Sequence, residues 1–164
     1  IRLMASDPHD DVGFDDVTAL ALAESADAEQ AAAIGVSATA ALQLLRDNGK
    51  VQPGQTVLIN GASGGVGTFA VQIARALGGK VTASCSSDAV ELVKSLGADE
   101  VIDYTVDDPI DSGRTYDLVV NIGGTHSLRE LRRTLNPEGT LAAVGGSQHG
   151  GLLGPGSVGA PRVR

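Results

Sequence analysis

The tightest constraint on this chain is a glycine-rich turn, Gly61-Ala62-Ser63-Gly64-Gly65-Val66-Gly67, in which Gly61, Gly64 and Gly67 recur at spacing three. A short β-branched run, Thr-Val-Leu-Ile-Asn at Thr56–Asn60, leads into it, and a helical pattern from Val66 to Leu77 leads out. Glycine at such a bend lets the chain reverse sharply and lets backbone approach backbone where a side chain would obstruct. The same alternation then repeats. Val81–Ser84 reads as a second strand and Asp88–Leu96 as a second helix stopped by Gly97, with Asp88 as its N-cap. Glu100–Tyr104 is a third strand and Asp117–Ile122 a fourth. Ser127–Leu135 is a helix ending at Asn136-Pro137, and Thr140–Val144 is a fifth strand. The twelve residues Thr105–Tyr116 leave room for only a short crossover helix or none.

Strands that are apolar throughout, rather than alternately, are covered on both faces. Joined to helices in alternation, they predict a parallel, doubly wound, Rossmann-like α/β sheet of about five to six strands with helices on both faces. Upstream, an Ala-rich helix runs to Leu45 from a capping-box-like start at Asp27 and Gln30, and Asn48-Gly49 stops it.

Of the 164 residues, 42% are apolar, and the formal net charge is −8. The first thirty residues carry eight acids and one base, Arg2. The expected organisation is therefore an acidic, partly irregular leader over 1–26, a folded domain over 27–147, and a Gly/Pro-rich tail over 148–164. The bland role for the leader is a solvated segment; a docking tail for a basic partner is the sharper one. The acidic balance argues against nucleic acid as a partner. No apolar run nears the ~20 residues that cross a bilayer, so no membrane association is expected. Cys85 is the one cysteine, which removes a disulfide framework and a Cys-cluster zinc site, and no metal is expected. These features predict a cytoplasmic protein.

Between a strand and a helix, the glycine turn predicts a dinucleotide site, because free amides and the positive end of the helix face an approaching diphosphate. The rivals fail on the same residues. A phosphate-loop nucleotidase needs Gly-Lys-Ser/Thr, whereas Thr68 follows Gly67 with no lysine in the loop. A doubly wound methyltransferase favours an acid where Asn60 stands. Short-chain dehydrogenases place a lysine four residues after a tyrosine, and Asp108 and Val120 occupy those positions after Tyr104 and Tyr116. At the end of the second strand, where NAD-specific sites place an acid, this chain has the small neutral Ser86, then Ser87 and Asp88. That favours NADPH over NADH as the cofactor.

Together these motifs resemble the medium-chain dehydrogenase/reductase superfamily, in its zinc-independent, zeta-crystallin-like quinone oxidoreductase branch. The likeness runs through Ala31–Ala33, Ala38–Leu42, Pro53–Gln55, Gly61–Gly67, Val81–Ser86, Leu96–Asp99, Asp103-Tyr104, Tyr116-Asp117 and Pro137–Thr140. It implies that Ser63, Gly64, Gly65 and Val66 hold the pyrophosphate and that Ser86 and Ser87 lie at the 2′-phosphate end. Tyr104 would lie on the adenosine side, Asn121 and Gly123 near the nicotinamide ribose, and Thr39 near the nicotinamide. The implied activity is NADPH-dependent reduction of a small-molecule quinone or enone by hydride transfer, with a homodimer as a candidate assembly. Members carry an N-terminal barrel-like domain ahead of this region, where the present chain has the acidic leader; the expectation is a truncated form. The alternative is a non-catalytic dinucleotide-binding sensor or interaction module. No catalytic residue is assigned: His9 and His149 read as solvent-facing, His126 as a surface residue at a helix entry or, beside the Gly123-Gly124 turn, one that faces the nicotinamide side, and Cys85 as a small buried strand residue.

Overall fold

A computed structural model describes residues 28–123 and 126–144. The leader, Asp27, the tail, His9 and His149 lie outside them. Helix α1 (Ala28–Leu42) continues as a wider π-helical segment, Gln43–Asn48, and stops at Gly49. Then follow β1 (Thr56–Asn60), α2 (Gly65–Ala76), β2 (Lys80–Cys85), a 3₁₀ turn (Ser87–Ala89) and α3 (Val90–Ser95). The last elements are β3 (Glu100–Asp103), β4 (Tyr116–Asn121), α4 (Leu128–Leu131), a 3₁₀ turn (Arg132–Thr134) and β5 (Leu135–Ala143). All neighbouring strands are parallel, in the order β3-β2-β1-β4-β5. This is the doubly wound sheet expected, with five strands and no helix between β3 and β4.

The side-chain alternation of the central strands divides the core. Val57 and Ile59 of β1, Val81 and Ala83 of β2 and Val120 of β4 pack with Leu44, Leu45, Val71, Ala74 and Val93 from the α1–π, α2 and α3 side. Leu58 and Val119 point the other way, onto Tyr116 and Leu131, with Ile110 and Leu141 beside them. Both faces are covered, the second by far less apolar material, and this accounts for the unbroken apolar character of β1 and β4.

Two boundaries differ from expectation. The helix after Ser127 starts as read, with a reciprocal capping box in which the Ser127 side chain accepts from the Glu130 N–H and the Glu130 carboxylate accepts from the Ser127 N–H. It lasts only to Thr134, and Leu135 begins a strand. Proline disfavours helical backbone in the residue before it, and Asn136 donates from Nδ2 to Asp117 Oδ1 at 2.7 Å, which ties this stretch to β4. Pro137 is tolerated because β5 is an edge strand whose register with β4 jumps between Tyr116–Leu135 and Leu118–Thr140. The second departure concerns Asp88. Ser86 is the extended residue before the 3₁₀ turn, and Asp88 lies inside that turn with its carboxylate accepting from the Ser86 hydroxyl. The turn begins one residue earlier than expected because the Ala89 N–H reaches the Ser86 carbonyl at 3.0 Å.

Opposite the glycine turn, at the N-terminal ends of the strands, Asp117 fastens three of them. Its Oδ2 accepts from the Thr56 N–H at 2.8 Å and the Thr56 hydroxyl at 2.9 Å, while Oδ1 takes Asn136. The Thr56 amide, then Asn136, hold its pKa below the usual aspartate value. The Asp117→Ala variant leaves the Thr56 amide unpaired and is expected to lose about 2 kcal/mol of stability by urea denaturation at pH 7. A carboxylate whose folded pKa is lowered stabilises fully above its unfolded pKa, about 3.9. The difference between wild type and variant should therefore shrink as the pH falls below that value and through the lowered folded pKa; a difference that shows no dependence on pH in acid would contradict this role for the Asp117 carboxylate.

Candidate dinucleotide site

The strand order reverses at β1, which has β2 on one side and β4 on the other, so the crevice at the carboxyl ends of these strands is the topological switch point of the sheet. Three polar side chains are buried there. Ser84 Oγ donates to Asn60 Oδ1 at 2.6 Å, and Asn60 Nδ2 donates to Asn121 Oδ1 at 2.9 Å. The main chain doubles these links: the Ala62 N–H bonds the Ser84 carbonyl at 2.9 Å, and the Ile122 N–H bonds the Asn60 carbonyl at 3.0 Å. Asn60 thus has a physical reason to be there. An amide supplies both the acceptor and the donor that a bridge between two strands requires.

On this base the turn is fixed by two glycines and left open by two others. Gly61 has φ +87°, and a Cβ on it would meet the Gly123 amide nitrogen at 2.9 Å. A Cβ on Gly67 would come within 2.2 Å of the Gly61 carbonyl oxygen and 2.7 Å of Ala62 Cα, so the first turn of α2 sits on the bend only because residue 67 is glycine. Gly64 and Gly65 are exposed, with no contact shorter than 3.7 Å and 3.4 Å respectively for an added Cβ. No side chain caps α2, whose N-cap is Gly64, and the Thr68 N–H bonds the Gly64 carbonyl at 3.0 Å. The amides of Gly65, Val66 and Gly67 precede the helical ladder. An exposed, uncharged helix start bare of side chains fits the diphosphate of a dinucleotide.

A cleft of about 510 Å³ opens from this turn. Ser63, Gly64, Tyr104 and Gly123 line it, so four of the sequence-derived positions come together. Gly65 and Val66 open α2 beside it. Asn121 lies beneath the turn and is 9% exposed, its carbonyl oxygen taken by Asn60. Thr39 stands on α1 with its hydroxyl donating to the Gly35 carbonyl at 2.6 Å and is not among the residues lining the cleft.

Ser86 and Ser87 follow β2 in a more acidic setting than the sequence suggested. Ser87 Oγ donates to Asp103 Oδ2 at 2.5 Å, and Asp103 Oδ1 accepts from the Thr105 N–H at 2.9 Å and the Thr105 hydroxyl at 2.6 Å. These bonds, that of Ser87 foremost, lower the Asp103 pKa. Cys85 is buried between them and Asp88; burial first, then these two carboxylates, raises its pKa and keeps it a neutral thiol, as expected of a small strand residue. His126 is less exposed than a surface residue at a helix entry. It lines the cleft, its side chain is 19% exposed, and its Nε2 lies 3.1 Å from the Asp108 carboxylate. That pairing joins residues 18 apart through the β3–β4 connection, which local sequence does not disclose.

Comparison with known proteins agrees with this geometry. A family of zinc-binding dehydrogenases matches residues 65–158. The NAD(P)H oxidoreductase RTN4IP1 of Mus musculus is 55% identical over 76 residues, covering 44% of this chain and 19% of that protein. Among solved structures, the quinone oxidoreductase of Pseudomonas syringae pv. tomato superposes with TM-score 0.65 at 33% identity, covering 74% of this chain and 40% of that one. The CurK enoyl reductase does so with TM-score 0.63 at 30% identity, covering 71% and 37%. The chain thus spans about a fifth of the length of the curated relatives it matches. The mouse, human and bovine RTN4IP1 proteins are mitochondrial, which overturns the expectation of a cytoplasmic protein. Among the described residues no helix is long and apolar enough to cross a membrane, and no group of three or more His, Cys, Asp or Glu side chains is placed to hold the metal the family name implies. With the glycine turn, the parallel sheet and these matches in agreement, the chain belongs to the zinc-binding dehydrogenase family within the medium-chain dehydrogenase/reductase superfamily.

Proposed function

We propose that the region 27–147 is the dinucleotide-binding part of an NADPH-dependent oxidoreductase that reduces a quinone or an activated alkene. The observation that carries this reading is the bare start of α2, Gly64-Gly65-Val66, set at the switch point of a parallel sheet. Ser63, Gly64, Gly65 and Val66 would hold the pyrophosphate through backbone amides. Tyr104, 53% exposed on the cleft wall, would cover the adenosine side. Asn121 and Gly123 would border the nicotinamide ribose, and Thr39 the nicotinamide. The reduced dinucleotide, when bound, supplies a hydride from its nicotinamide C4. The protein's own contribution is orientation: Asn60 fixes the turn against β2 and β4, so the amides are aligned before the ligand arrives.

Ser86, neutral and small at the end of β2, supports NADPH. A second reading, NADH, is favoured by the carboxylates of Asp88 and Asp103 beside Ser86 and Ser87, which would accept ribose hydroxyls and repel a 2′-phosphate. Fluorescence titration of the full chain with both coenzymes decides between them. Asp88→Arg is expected to tighten NADPH binding by about tenfold, a change of ~1.4 kcal/mol; preference for NADH in both forms would assign the site to NADH.

Gly64→Asp places a side chain and a charge where the diphosphate would lie. It is expected to weaken dinucleotide binding by at least about a hundredfold, ~2.7 kcal/mol, without lowering the melting temperature, because its Cβ makes only an ordinary contact, with the Gly61 carbonyl oxygen at 3.7 Å. Gly67→Ala is expected to cost about 2 kcal/mol of stability or more, because backbone must move to admit it. Unchanged affinity in the Gly64 variant would remove the basis of the assignment. Tight NADPH binding with no oxidation by a small quinone would assign this chain to the binding-module class.

A further inference from the structure

The cleft that would receive a diphosphate contains a carboxylate, Asp108, and no lysine or arginine among the described residues that line it. The net charge of −8 comes mostly from the first thirty residues, so the charge that opposes an anion at this cleft is local, that of Asp108. The Asp108 charge opposes two phosphates there and offsets part of the attraction of the helix start. One lining side chain belongs to the class that normally changes charge between pH 5 and 8: His126.

We propose that His126 is a proton-linked anion-binding residue of this cleft, taking up one proton from solvent when a dinucleotide diphosphate binds and so offsetting Asp108. The inference rests on the dinucleotide reading above and adds a residue and a proton to it. Asp108 is held in place from its own loop, since its Oδ1 accepts from the Ile110 N–H at 2.8 Å, and it faces His126 Nε2 at 3.1 Å. In the neutral imidazole that contact makes Nε2 the protonated nitrogen. His126 Nδ1 is buried and has no hydrogen-bond partner among the described residues, so a second proton on the ring acts on the cleft through its charge and not as a donor to the ligand. Two other titratable groups face this corner. Glu130, at the start of α4, has its carboxylate occupied by the Ser127 N–H and hydroxyl at 2.7 Å each. Tyr104 lines the opposite wall. The proton balance is simple: neutral imidazole plus one solvent proton gives imidazolium, with no bond broken elsewhere.

By linkage, a proton gained on binding means that affinity falls as pH rises. The test is calorimetric titration of the full chain with ADP-ribose and with NAD⁺, whose diphosphates do not change charge between pH 5.5 and 8.5. Two buffers of different ionisation heat count the protons. Wild type is expected to bind about three- to tenfold more weakly at pH 8.5 than at pH 5.5, with a fraction of a proton up to one taken up. His126→Gln should hold the wild-type pH 8.5 affinity across the range, with no proton uptake. Asp108→Asn should tighten binding at pH 8.5, because it removes the opposing charge. A His126→Gln variant that keeps the wild-type slope, or a wild type with no slope, overturns the proposal while leaving the dinucleotide reading intact. Failure of the wild type to bind either ligand at any pH, as well as NADPH, overturns both.

Discussion

The site depends on one steric fact, the seating of Gly67 against the carbonyl of Gly61. Any side chain at 67 would place its Cβ 2.2 Å from that oxygen, so the helix could not begin where it does. With glycine there, α2 starts directly on the bend and its first amides face the crevice between β1, β2 and β4. Gly61 contributes the left-handed turn and passes close to Gly123, which brings the end of β4 to the same corner. The exposed Gly64 and Gly65 are free of structural duty. Two glycines therefore build the turn, and two keep it open.

That arrangement explains how an acidic protein could hold an anion without a lysine. The attraction comes from backbone: uncapped amides and the positive end of a twelve-residue helix. Fixed partial charges of this kind need a rigid support, which the buried chain Ser84–Asn60–Asn121 supplies immediately beneath. At the far end of the same strands Asp117 makes a matching set of bonds. The central strands are thus fastened at both ends by polar groups, and apolar packing fills the length between.

Legibility in the sequence followed the range of the interaction concerned. The strands, α2, the glycine turn and the shortness of the connection after β3 were readable, because unbroken apolar runs and glycine spacing are local and their physical causes few. The start of β5 was misread because Leu135-Asn136-Pro137 is locally a helix end, while its extended form is set by Asp117, a residue on another strand. Asp88 was misread for a related reason: an aspartate before a helix is ordinarily a cap, and here Ser86 and a 3₁₀ turn come first. The partner of His126 was unreadable, although its place beside the glycine turn already suggested the cleft. Nothing within a few residues of it announces Asp108, and only the fold of the β3–β4 connection brings the two together. Asp103 behaves likewise in part: its bond from Ser87 crosses from one strand end to another, whereas those from Thr105 are local.

The unequal covering of the sheet's two faces bears on that connection. One face is sealed by α1, the π segment, α2 and α3, whereas the other has Leu131 of α4 and partly buried Ile110 over Leu58 and Val119. The segment from Tyr104 to Arg114 therefore holds its place with little apolar burial, chiefly through Pro109 and Ile110. Polar contacts carry proportionally more of its ordering than they do elsewhere, and the Asp108–His126 contact reaches across to the segment following β4. A weakly buried loop that shapes one wall of a cleft, and is tied to the opposite wall by a pair containing an imidazole, joins the geometry of that cleft to its charge. Protonation at this pair strengthens the tie and makes the wall less negative at once, so both changes favour an anionic ligand in the same direction.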